Sequence, residues 1–145
     1  MNVKADKMRY QANKLGYGLI LLGMMLSVAA LFMIITPPTV VPTFSTALEI
    51  LINILLLLFT FLAAERCKYY QKNWAIMTII IAAIHALRIL WVPTKLLSNG
   101  ELRIGQFLFI ALFLVLTSIL MVFGALITLK RHHILITHLK EIGEK

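Results

Sequence analysis

Four apolar blocks take up most of this chain, and they leave few folds open to it. They run over residues 15–35, 47–64, 74–92 and 107–129. Each is about 18–23 residues long, so a helix rising about 1.5 Å per residue would cross a hydrocarbon layer of about 30 Å. Within a bilayer, only helices and closed barrels satisfy their own backbone hydrogen bonds. None of the blocks alternates polar and apolar residues as a strand would, so each is read as a helix.

Composition points the same way. Of the 145 residues, 61% are hydrophobic and 14% charged. Soluble domains carry about 45–50% apolar and about 25% charged residues. A chain this short leaves much of its surface in solvent and could not hide the excess. The expected fold is an all-α integral membrane domain over residues 1–145, with four transmembrane helices in an up-down-up-down bundle. Its short connections make consecutive helices antiparallel neighbours. The first block is not read as a cleaved signal peptide. Its apolar core is too long, and Thr36, Pro37 and Pro38 close it where a small-x-small site would be needed.

The net charge is +8. On a soluble surface that would suggest nucleic acid. Here eleven of the 14 Lys and Arg fall in the tails 1–14 and 130–145 or in the connection that holds Arg66, Lys68 and Lys72. Lys95 and Arg103 lie on the opposite side, and Arg88 lies within the third block. The positive-inside rule then places both tails in the cytoplasm, and no nucleic acid is needed to explain the charge. Both tails carry helical spacing. Lys4, Lys7, Gln11 and Lys14 form a polar stripe, and Ile134, Leu135, Leu139 and Ile142 form an apolar one past the last block. The preferred reading is a pair of segments lying on the membrane surface. A docking helix for a cytoplasmic partner is the alternative.

The ionisable residues inside the blocks are the most specific signal. Each costs about 2.5–3.5 kcal/mol near the centre of a bilayer unless it is paired, hydrated or close to an interface. Glu49 lies about one turn into the second block, with Asn53 one turn deeper at i, i+4. Arg88 lies about one turn from the end of the third block, with His85 at i−3. In antiparallel neighbours these levels coincide, so the spacing predicts a Glu49–Arg88 ion pair with Asn53 and His85 beneath it. As a clasp, the cluster would fix helix register. As a relay or polar-ligand site, it would use His85, the side chain that titrates near neutral pH. The clasp is preferred, because a proton-carrying carboxylate is seldom neutralised permanently by an arginine.

Other candidates carry less. Cys67 stands alone in the sequence, so no intrachain disulfide and no Cys-x-x-Cys pair can form. His132, His133 and His138 do not share a helix face, and no Cys or carboxylate completes a metal set. No phosphate-binding glycine loop, zinc-protease motif or nucleophile elbow is present. Gly23 with Ser27 and Ala82 with Ala86 are small-xxx-small pairs suited to close helix contact. The expected function is therefore a non-catalytic integral membrane subunit without cofactor or metal. It would pack against a larger membrane complex, such as a transporter, in the plasma membrane of a bacterium. Its partners would be the lipid bilayer and other membrane subunits, with no soluble small-molecule substrate. The runner-up is a homo-oligomeric transporter or channel using Glu49, His85 and Arg88. A lipid-acting enzyme with His85 as base is third; Ser27 is the only plausible nucleophile to pair with it, and its mid-helix hydroxyl is expected to bond to the backbone.

Overall fold

The structure, a computed structural model, describes residues 8, 11–35, 43–141 and 143. The described residues are all-helical, with no strand among them. The helices are α1 (Lys14–Ile35), α2 (Phe44–Lys68), α3 (Lys72–Leu87), α4 (Val92–Ser98) and α5 (Ile104–Glu141), with a 3₁₀ turn at Arg88–Leu90 between α3 and α4. Four stretches are long and apolar enough to cross a membrane: Lys14–Ile35, Phe44–Lys68, Lys72–Ser98 and Ile104–Glu141. They fit a multi-pass membrane protein. The expected polar stripe of the first tail (Lys4, Lys7), the Thr36-Pro37-Pro38 stop and Ile142 lie outside the described residues.

The helix ends have local causes. α2 begins at Phe44 because Thr43 and Thr46 form a capping box. The Thr46 amide donates to Thr43 Oγ1 at 3.3 Å, and the Thr43 amide donates to Thr46 Oγ1 at 2.6 Å. At its other end the chain reverses through a Schellman turn. The Tyr70 amide donates to the Cys67 carbonyl and the Gln71 amide to the Arg66 carbonyl, at 3.1 and 3.4 Å. The left-handed position, where glycine is usual, is held by Tyr70 with φ 59°. The buried Tyr70 hydroxyl donates to the Gln11 carbonyl at 3.0 Å, which ties this turn to the segment before α1.

The third span departs from the single helix over 74–92 expected from the sequence. It breaks after Leu87 and resumes at Val92. Pro93 is the cause, since its ring excludes the helical bond to the Ile89 carbonyl. The Thr94 hydroxyl donates to that carbonyl instead, at 2.7 Å. The segment 93–98, expected as loop, is therefore helical, and the turn lies at Asn99 and Gly100, where Gly100 has φ 74°. α5 continues past Leu129 without a break. Its 38 residues extend about 57 Å, well beyond a hydrocarbon layer of about 30 Å.

α5 packs against α1 most extensively and against α3 next; α2 packs on both α1 and α3. The α1–α5 contact is close because glycines allow it. A Cβ on Gly124 would lie 2.8 Å from the Gly16 carbonyl oxygen and from Ile20 Cγ1. A Cβ on Gly23 would lie 3.1 Å from the Thr117 carbonyl oxygen. The Thr117 hydroxyl donates across to the Gly23 carbonyl at 3.1 Å. Gly23 and Ser27 are both buried, as a small-residue contact face requires, whereas Ala82 is buried and Ala86 exposed. The buried apolar residues form two clusters. One includes Ile20, Leu56, Ala63, Ala82 and Met121; the other includes Ala30, Ile34, Val92, Ile110 and Leu114. Large apolar side chains such as Leu22, Met25, Leu58 and Phe123 face outward, as a lipid-facing surface requires.

Candidate functional site

Between the two apolar clusters lies a layer of polar side chains. Along α1, Ser27 falls between Ile20 of one cluster and Ala30 of the other. Along the third span, His85 and Arg88 fall between Ala82 and Val92. Glu49 and Asn53 enter from α2, next to Leu56. All five are buried: Glu49 is 3% exposed, Arg88 6%, and the others 1%.

The hydrogen bonds converge on Glu49 Oε1. Arg88 donates to it from Nε at 3.1 Å and from Nη2. Asn53 Nδ2 donates to the same oxygen at 3.1 Å and to the Glu49 carbonyl at 2.9 Å. These charge-assisted bonds offset the cost of burying both charges. The remaining edge of the guanidinium turns to His85, with Arg88 Nη1 3.2 Å from His85 Nδ1. Because a guanidinium cannot accept, Nδ1 is the acceptor, and the proton of the neutral ring is on Nε2. Ser27 Oγ lies 3.5 Å from the same Nδ1.

The structure thus brings together the four residues of the expected cluster, with Ser27 beside His85. It differs in depth. The sequence places Arg88 about one turn from the end of its helix, whereas the third span continues to Ser98. The pair is accordingly covered on its far side by the second apolar cluster, with Val92 and Leu96 in it. Two buried acceptors near this layer have no partner among the described residues, Asn53 Oδ1 and, two helical turns along the same face of α2, Thr60 Oγ1.

A second polar cluster lies at the other end of the bundle. Sequence reasoning did not anticipate it. Asn13, fully buried, donates from Nδ2 to Thr128 Oγ1 at 2.9 Å. Its Oδ1 accepts from the Gly16 amide at 3.3 Å and from Arg131 Nη1 at 2.8 Å. Its backbone amide donates to the Lys68 carbonyl at 2.9 Å. His132 Nδ1 lies 2.8 Å from the Tyr70 carbonyl oxygen, and Cys67 Sγ lies 3.6 Å from Thr78 Oγ1. One asparagine therefore connects the start of α1, the end of α2 and the middle of α5. The only signal in the sequence was an uncharged polar residue just before an apolar block, which is too common to single out.

Among the described residues, no three His, Cys, Asp or Glu side chains gather as metal ligands. His132 is engaged by the α2–α3 turn, His133 is exposed and His138 is buried. No family model, curated protein or solved structure matches this chain.

Proposed function

We propose that this chain is a small non-catalytic subunit of a larger membrane complex, such as a transporter, in a bacterial plasma membrane. In this reading the four spans run up-down-up-down with both tails in the cytoplasm. The observation that carries the reading is the mutual engagement of the ionisable groups of the polar layer. Glu49 is neutralised by Arg88, and the lone pair of His85 Nδ1 faces the Arg88 guanidinium. An imidazole so engaged is not available as a base toward Ser27, the nearest hydroxyl. The cluster then acts as a clasp that sets the register of α2 against the third span. The docking element is the end of α5, which runs beyond the bilayer and exposes Ile134 and Ile136 among polar residues.

The deciding measurement is mild-detergent purification from the native membrane, followed by mass spectrometry of the intact particle. Other chains at fixed stoichiometry are expected. A homo-oligomer with no other chain would sink the subunit reading. It would favour a homo-oligomeric transporter, for which the buried unpartnered oxygens of Asn53 and Thr60 are the supporting observation. In that case Glu49→Gln would abolish flux while leaving expression intact.

A further inference from the structure

Beside the second polar cluster, between the start of α1 and α5, lies an open groove of about 480 Å³. It is lined by Gln11, Ala12, Lys14, Leu15 and Arg131. Two cations from opposite ends of the sequence meet here, and among the described residues no acidic side chain lines the groove. Arg131 is held in place by its bond to the buried Asn13 Oδ1. That bond uses one of five guanidinium N–H donors. Lys14 is the first residue of α1, so the dipole of the helix start adds to its positive charge. Leu15, next in the chain, is 53% exposed and begins the apolar run. The groove therefore lies where hydrocarbon would meet headgroups.

A neighbouring groove of about 300 Å³ shares Gln11 and Ala12 and is lined by Lys68. There the charge is already answered. Lys68 Nζ lies 3.7 Å from Glu65 Oε2 and 5.3 and 5.8 Å from the rings of Tyr17 and Tyr69. Neither Lys14 nor Arg131 has an ion pair among the described residues.

We propose that the Lys14–Arg131 groove binds the phosphate of an anionic phospholipid. The guanidinium, preorganised by Asn13, takes the phosphate oxygens in fork geometry, and Lys14 supplies the second charge. The exposed Leu15 meets the first methylenes of the acyl chain. A zwitterionic headgroup fits less well, because its own cation would lie against two others. Free phosphate offers the charge but nothing for Leu15.

The test uses the full chain in detergent and native mass spectrometry, with phosphatidylglycerol or phosphatidylcholine added at equal concentration. Retention of phosphatidylglycerol is expected to exceed that of phosphatidylcholine by about tenfold, as one well-made charge-assisted contact implies. Lys14→Gln should lower that retention several-fold. Its unfolding temperature in lipid-free detergent should not change, since its side chain holds no part of the fold. Arg131→Gln should lower retention further, and Lys95→Gln, at the opposite end of the bundle, should leave it intact. Equal retention of the two lipids would overturn the proposal, as would unchanged retention in both groove variants or an equal loss in Lys95→Gln. If inorganic phosphate raised the unfolding temperature as much as phosphatidylglycerol, the lipid assignment would fail as well.

Discussion

The two polar clusters solve the same problem by different means. The Glu49–Arg88 layer joins α2 to the third span with two opposite charges, and three of its six hydrogen bonds meet at one carboxylate oxygen. The Asn13 cluster joins α1 to α5 with a neutral side chain whose donor and acceptor are both in use, and reaches α2 through the Asn13 backbone amide. A charged clasp is brittle, because losing either partner leaves a bare charge in a water-poor layer. A neutral node loses its bonds one at a time. The first suits a register lock between two helices. The second suits a junction where an amide, a hydroxyl and a guanidinium must be met together.

That contrast can be broken most directly at the clasp. Arg88→Leu should cost about 3–5 kcal/mol of stability in detergent, because it strands the Glu49 carboxylate. Glu49→Gln paired with Arg88→Gln should recover much of the loss of either single change, as measured by chemical unfolding followed by circular dichroism. If the double variant were no better than Arg88→Gln alone, the two residues would not form a mutually dependent clasp.

The neutral node depends on how closely α1 approaches α5. Gly124→Ala should destabilise by about 1–3 kcal/mol, since the new Cβ meets the Gly16 backbone carbonyl rather than a side chain that can move. Gly18→Ala, where a Cβ meets nothing within 4 Å, should instead stabilise by up to about 1 kcal/mol through helix propensity. Opposite signs in thermal unfolding are the expected result. Asn13→Ala should cost about 1–3 kcal/mol by leaving Thr128 and the Gly16 amide short of a partner. It should also speed amide exchange at the start of α1, and exchange unchanged there would count against the node. The smallest destabilisation expected is that of Tyr70→Phe, at about 1 kcal/mol, from loss of the bond to the Gln11 carbonyl.

The Glu49–Arg88 pair was legible in the sequence because charge inside an apolar block demands a partner. Only Arg88 could stand level with Glu49 if neighbours ran antiparallel. The node was not legible. Asn13, Thr128 and Arg131 lie in or beside apolar blocks where polar residues can face solvent or bond to their own helix. Nothing in their spacing links positions more than 100 residues apart. The break in the third span was half legible. Pro93 announced an end to a helix, but the sequence could not say that Thr94 would answer the Ile89 carbonyl and let a helix resume.

By itself, the sequence determined that the chain is helical, that four of its stretches can cross a membrane, and that Glu49 and Arg88 need each other. Those conclusions follow from local length, hydropathy and the cost of burying charge, which do not depend on how helices are arranged. Tertiary structure alone decided that α1 and α5 pack closest, because that depends on glycines of one helix meeting backbone atoms of another. It also decided that Ser27 and His85 share a layer, and that one asparagine holds three elements together. Their partners lie far away along the chain, and only packing sets such distances.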